Sequence, residues 1–151
     1  MPSFLFYCQS PVKVNFTGPF LCTLAVLPAM KKNRFGRIVN ISSSAGRSMS
    51  TLGGAHYTAY QAGPLGLTRA VAKEVASHGI TVNAICPGLI DTKMMRRTTT
   101  KEELEAFLGS FPLKRIGKPE EISDLVVFLC SEKAAYITGA SLDVNGGDLM
   151  I

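Results

Sequence analysis

Two short β-branched runs, Arg37-Ile38-Val39-Asn40-Ile41-Ser42 and Ile80-Thr81-Val82-Asn83-Ala84-Ile85, flank a long helix-like stretch. Runs this apolar, with no clean polar alternate face, read as strands buried on both sides. Between them lie a Gly/Ser-rich loop over residues 43–55 and a helix from about Tyr57 to Ser77, closed at His78-Gly79 with glycine as its cap. A last strand, Ser141-Leu142-Asp143-Val144, follows a further helical stretch. Strand, helix, strand, helix, strand with near-continuous apolar strands predicts an α/β fold: a parallel sheet with right-handed crossovers.

Residues 15–30 are apolar and helix-like, with Phe16, Phe20, Leu21, Leu24, Ala25 and Leu27. Thr100-Lys101-Glu102-Glu103 is a capping box opening a short helix through Leu108. Pro119-Glu120-Glu121 opens another, whose stripe Ile122, Leu125, Val126 and Leu129 recurs at helical spacing. The chain of 151 residues suffices for one domain with a core. It is 46% hydrophobic and 18% charged, the balance of a soluble globular protein. No window approaches the unbroken apolar length of a membrane span, and Met1–Cys8 lacks the basic start of a signal peptide. A cytoplasmic protein with no membrane partner is expected.

The net charge of +5 is scattered, apart from short clusters at residues 31–34 and 93–97, and forms no dense basic stripe of the kind nucleic acid requires. Cys8, Cys22, Cys86 and Cys130 show no paired spacing and no neighbouring histidine pair. A zinc site needs clustered ligands, so no metal is expected and the thiols read as reduced and buried.

Six segments in a shared order carry more than any one of them alone. They are Val14-Asn15-Phe16-Thr17-Gly18, Gly36 to Ser43, Tyr57 to Gly63, Val82 to Gly88, Pro119 to Ile122, and Thr138-Gly139 through Asn145-Gly146-Gly147. From about Asn15 to Leu149 the chain resembles the C-terminal half of a short-chain dehydrogenase/reductase, most of all the branch containing 3-oxoacyl-[acyl-carrier-protein] reductases. The resemblance implies part of a Rossmann-like, doubly wound sheet, about three strands with flanking helices. Residues 1–151 would form a single partial dinucleotide-binding domain. The family's Thr-Gly-x-x-x-Gly-x-Gly phosphate loop, which sets pyrophosphate on a helix N-terminus, has no counterpart here; Gly53-Gly54 and Gly146-Gly147 stand in the wrong places.

By motif position, Asn15 resembles the family's asparagine that holds a relay water, Ser43 the serine that binds the substrate oxygen, and Tyr57 the general acid/base. Pro87, Gly88, Ile90 and Thr92 resemble the segment that grips the nicotinamide, to which Tyr57 also lies close. The cofactor implied is NAD or NADP. Other readings stay open: a helix-surface amide for Asn15, a loop hydroxyl capping backbone for Ser43, and a plain turn for Pro87-Gly88. Ser43 is preferred to Ser42 and Ser44 because Gly46 falls three residues after it. Met94, Met95, Leu104, Phe107 and Phe111, in the family's variable lid, read equally as an acyl pocket or as core. Arg34 stands where carrier-protein reductases tend to place a docking residue, or is simply a loop arginine.

Gln61 occupies the position of the family's catalytic lysine, one turn after Tyr57. The chemistry needs a phenol that ionises near neutrality. A free phenol titrates at about 10, and a cation within about 4–6 Å lowers an acid's pKa by about 1–3. Glutamine supplies no such field, although it can hydrogen-bond a ribose hydroxyl. Arg69 and Lys73 lie about 12 and 18 Å further along the same helix. Pro64 removes one helical bond at about 3 kcal/mol and predicts a kink or a late helix start.

Two functions follow. One is an NAD(P)-dependent oxidoreductase of ketones or secondary alcohols, with 3-oxoacyl thioesters and an acyl carrier protein as a candidate substrate and partner. The other is a truncated, catalytically inactive remnant or an oligomerisation partner. In the family the helices near 15–30 and 57–77 form a dimer interface, so a homo-oligomer is expected. Without the preceding strands the first strand would be an exposed edge, which predicts weak stability or self-association.

Overall fold

The structure is a computed structural model that describes residues 11–50 and 53–151; Cys8 and the Met1–Cys8 reading lie outside them. Three strands, β1 (Gly36–Ile41), β2 (Ile80–Pro87) and β3 (Ser141–Val144), form one all-parallel sheet in the order β1-β2-β3. The register runs from Gly36 opposite Ile80 to Ile41 opposite Ile85, and from Ala84 opposite Ser141 to Pro87 opposite Val144. The sequence expectation of a parallel, Rossmann-like α/β sheet holds.

Among the described residues five α-helices surround it: α1 (Gly18–Asn33), α2 (Gly54–Val75), α3 (Lys93–Thr98), α4 (Lys101–Ser110) and α5 (Pro119–Cys130). The pleat of β2 sorts the core into two layers. Ile80 and Val82 face Val71, Ala72 and Val75 of α2, with Leu27 and Met30 of α1 behind them. Ile85 faces the other way, against Leu129 and the stripe Ile122, Leu125 and Val126 of α5. Val75, Ile80, Val82, Ile85 and Leu129 are fully buried, each worth about 1.5–3 kcal/mol of apolar transfer.

Two asparagines of this core are tied by hydrogen bonds. Asn83 donates from Nδ2 to the Ile137 carbonyl (2.8 Å) and accepts from the Ala140 amide (3.1 Å), pinning the loop before β3 to β2. Asn40 of β1 donates to Thr68 Oγ1 of α2 at 2.9 Å. The predicted capping box is present: the Glu103 amide donates to Thr100 Oγ1, and the Thr100 amide to Glu103 Oε2. Gly79 is left-handed (φ 72°), and a Cβ there would meet the Arg34 carbonyl at 2.5 Å, so glycine is required twice over.

Two expectations are corrected, the start and course of α2 and the burial of the thiols. α2 begins at Gly54, ahead of Tyr57, and runs through Pro64 without a break. The proline ring is fully buried in the core, and its packing offsets one lost helical bond. Residues 93–98, read as lid, form a helix whose start Thr92 caps by accepting from the Met95 amide. The thiols differ among themselves: Cys86 is buried, whereas Cys22 and Cys130 are exposed, all unbridged. Within the lid region Met95 and Phe111 are buried while Met94 is largely exposed. Arg34 is more than a loop residue. It ends α1 in the left-handed region (φ 51°) and donates to the Ser77 carbonyl at 3.0 Å. Among the described residues no helix is long and apolar enough to cross a membrane, and no group of three metal-ligating side chains exists.

Candidate active site

Tyr57 and Gln61 lie in the first two turns of α2. Ser50 fixes the approach to this helix: its amide donates to Thr58 Oγ1 (2.9 Å), and its Oγ accepts from the Gly53 amide (2.6 Å). Gly53 lies flat beneath Tyr57, where an added Cβ would meet the ring's Cγ at 2.5 Å. Tyr60 closes the ring's edge, with centroids 5.2 Å apart and planes at 71°, the edge-to-face arrangement that aromatic quadrupoles favour.

The loop after β1 is stitched to the same turn of helix. Ser42 Oγ donates to the Gln61 carbonyl at 2.7 Å, and a Cβ at Gly46 would strike that carbonyl at 2.5 Å. Ser42 is therefore a structural tie. Ser43, half-buried, accepts from the Ala45 amide at 3.2 Å and caps the 3-10 turn Ser44–Gly46.

Asn15 arrives from the other side. It sits at the middle of a π-helical stretch, Lys13–Thr17, immediately before α1, and donates from Nδ2 to the Pro11 carbonyl at 3.0 Å. Its neighbour Phe16 packs across Gly63, where a Cβ would meet the ring at 2.6 Å. That close approach is the reason residue 63 has no side chain. Such π turns widen a helix by one residue and cluster at functional positions.

Gln61 is only 7% exposed, and its side-chain Oε1 is buried without a hydrogen-bond partner. An unsatisfied buried acceptor costs about 1–3 kcal/mol. No sequence rule flags this, because the cost arises from packing around the helix.

Pro87 ends β2, and Gly88, Ile90 and Thr92 follow it. The Ser42 amide bonds to the Ile85 carbonyl at 2.8 Å, so the chain continues past Ser43 and Pro87 side by side at the carboxyl ends of adjacent strands, the position where open parallel sheets bind ligands. Gly88 donates to the Val144 carbonyl (3.0 Å) and packs on Asn145, which leaves no room for a Cβ. Ile90 packs on Gly117 through a short parallel bridge. Behind this loop a cleft of about 400 Å³ opens between Leu89-Ile90, Pro112–Gly117 and Val144–Gly147. It includes Ile90 but not Asn15, Ser43 or Tyr57. Arg115 and Glu121 form a two-pronged pair beside it (2.6 and 2.8 Å), and the guanidinium, with the Lys118 amide, holds the Glu121 carboxyl down to about 2.

Two charged residues escaped the sequence reading. Arg47, four residues after Ser43, pairs with Asp143 of β3 at 3.1 Å and donates to the Ser141 carbonyl. Each is the lone charge of its segment, and only the fold sets the two against each other. Burial next to Asp143 pushes the Cys86 thiol up to about 11, so it stays protonated at neutral pH.

The chain is similar to known proteins. The family model described as enoyl-(acyl carrier protein) reductase matches residues 7–148. An acetoacetyl-CoA reductase from Shinella zoogloeoides is 46% identical over 140 residues, 93% of this chain and 58% of its own length. A 3-oxoacyl-[acyl-carrier-protein] reductase from Pseudomonas aeruginosa is 48% identical over 139 residues, 92% and 56% respectively. The crystal structure of a 3-oxoacyl-[acyl-carrier protein] reductase from Brucella melitensis superposes with a TM-score of 0.84 at 36% identity, covering 88% of this chain and 49% of that one. The chain thus spans about half the length of the relatives it matches. With the fold, the order of the motifs and these matches in agreement, the chain belongs to the short-chain dehydrogenase/reductase family.

Proposed function

We propose that this chain carries the carbonyl-handling half of an NAD(P)-dependent oxidoreductase of ketones and secondary alcohols, with 3-oxoacyl thioesters as its substrate class. The observation that supports this best is the convergence on α2: Phe16 on Gly63 brings the Asn15 turn in, and Ser42 and Gly46 on Gln61 bring the Ser43 loop in. Ser43 would orient the carbonyl oxygen. Tyr57 would deliver the proton to that oxygen, and Asn15 would hold a water that replaces it. A bound nicotinamide supplies the hydride that the carbonyl carbon accepts.

The residues present suit the nicotinamide end of such a cofactor. Gln61 Oε1 is an orphaned buried acceptor, and a ribose hydroxyl is a donor. Pro87, Gly88, Ile90 and Thr92 would border the ring. Among the described residues no strand runs through a Gly-x-x-x-Gly-x-Gly turn into a helix, so the adenosine end draws no comparable support.

One observation favours the second reading, a non-catalytic assembly partner. The side chain that should bring a positive charge to Tyr57 is neutral and buried, while Phe20, Leu21 and Leu24 of the apolar α1 stand exposed, as a subunit contact would need. Titration with NADH and NADPH, followed by turnover of acetoacetyl-CoA, separates the two. Saturable binding with turnover defeats the assembly reading, and absence of binding defeats the enzyme reading. Gln61→Lys tests the missing charge by itself; we expect it not to restore turnover in the chain alone.

A further inference from the structure

We propose that Arg47 is a positioning residue: through Asp143 and the Ser141 carbonyl it fixes the turn that presents the Ser43 hydroxyl to the substrate oxygen. The inference rests on the reading of Ser43 given above, while the tie itself rests on geometry.

The loop after β1 is held to α2 at both ends. Ser42 Oγ donates to the Gln61 carbonyl (2.7 Å), and the Ser50 amide donates to Thr58 Oγ1 (2.9 Å). Between these ties lies the turn that Ser43 opens. The Ala45 amide donates to Ser43 Oγ (3.2 Å), the Gly46 amide to the Ser43 carbonyl (2.9 Å) and the Arg47 amide to the Ser44 carbonyl (3.0 Å). The first of these bonds takes one lone pair of the Ser43 hydroxyl and leaves its O–H for another acceptor, which is what a carbonyl substrate offers.

Arg47 closes this turn and runs the other way, to β3. β1 and β3 are second neighbours, about 9–10 Å apart, so the side chain crosses the end of β2. Nη1 donates to the Ser141 carbonyl (3.3 Å), and Nη2 pairs with Asp143 Oδ2 (3.1 Å). Burial raises the Cys86 thiol; Asp143 adds to this and Arg47 opposes it, so both charges reach the end of β2. The anchor is firm, because the neighbouring Ala140 is bonded through its amide to Asn83 Oδ1 (3.1 Å) and through its carbonyl to the Ala84 amide (2.8 Å).

Stability does not account for the pair. The two side chains are only 21% and 20% exposed, and desolvation offsets the attraction of charges so placed. Arg47 Nε and Asp143 Oδ1 are buried without hydrogen-bond partners, a further cost. Apolar side chains of similar size would stabilise the fold as well or better. They would lack the rigid fork of donors that sets the distance and orientation of the turn against β3.

The test compares Arg47→Met, Asp143→Leu and the double variant with the unaltered chain. Three quantities are read: the urea midpoint, hydrogen exchange at the Ala45 and Gly46 amides, and turnover of acetoacetyl-CoA with NADPH. Each single variant leaves one buried charge unpaired and lowers the midpoint. In the double variant we expect the midpoint to recover. Exchange at Ala45 and Gly46 should stay about tenfold faster, and kcat about tenfold lower with KM for NADPH unchanged. Recovery of exchange and kcat along with the midpoint overturns the proposal, since a pair that only stabilises is replaceable. Where a single variant fails to fold, Arg47→Lys replaces it, keeping the charge without the fork; exchange like that of the unaltered chain then overturns the proposal. An unaltered chain without turnover removes the reading of Ser43 and leaves the tie to be decided by exchange.

Discussion

β1 and β2 are near twins in sequence and unlike in circumstance. Both are β-branched runs, both lead to the site from their carboxyl ends, and each carries one buried asparagine. All but the last residue of β2 are buried, while β1 is buried only at Gly36 and Asn40 and ends half-exposed at Ile41. Among the described residues β2 has a strand on each side and β1 has one. Apolar composition therefore reports that a strand is meant for an interior. Which neighbours it has depends on how many other strands are present.

The sharpest way to break this contrast is to delete volume from each strand. Ile85→Ala in β2 should cost about 2–5 kcal/mol, the range for emptying a sealed cavity. Val39→Ala, in a site able to relax toward solvent, should cost about 1 kcal/mol. Urea unfolding of both variants measures the gap, and equal costs would show that β1 is as enclosed as β2.

The asparagines give a smaller, polar version. Asn83→Ala strands the Ile137 carbonyl and the Ala140 amide together, so about 2–3 kcal/mol is expected. Asn40→Ala releases one hydroxyl, Thr68 Oγ1, and should cost about 1 kcal/mol. The same unfolding experiment ranks them, and the reverse order would contradict the geometry.

Alkaline pH sharpens the comparison with the least force. Cys86 near the end of β2 keeps its proton up to about 11 in the folded chain, whereas an unfolded thiol loses it near 8.5. The native state holds more protons through that window, so stability should be full below about pH 8.5 and fall as pH rises through it, by about 1 kcal/mol at pH 9.5. Cys86→Ala should flatten that slope. An unchanged slope would mean that the carboxyl end of β2 is wetter than the fold implies.

Periodicity and caps made most of the fold legible. β3, the Thr100 capping box and the opening of α5 at Pro119 lie where local rules put them, because each depends on a few consecutive residues. The start of α2 and the course through Pro64 were misjudged, because the core that accepts the proline ring comes from residues far away in the chain. At the site, the order of motifs identified Asn15, Ser43, Tyr57 and the 87–92 loop as candidates, and the structure groups the first three around α2 through Phe16, Ser42 and Gly46. Three features could not be read from local sequence. The π turn at Asn15, the orphaned oxygen of Gln61 and the Arg47–Asp143 pair all arise from packing between elements.

The parallel order of the strands carries a consequence for synthesis. Gly36 pairs with Ile80, so β1 leaves the ribosome and waits while the whole of α2 is made. At about 5–20 residues per second, that is roughly 2–9 seconds. Over that interval α1 is already made beside Ile38, while Val39 waits for β2 and the layer of α5. The nascent chain passes through a state in which this apolar strand still lacks β2, and molecular chaperones that hold extended apolar segments would find it there first.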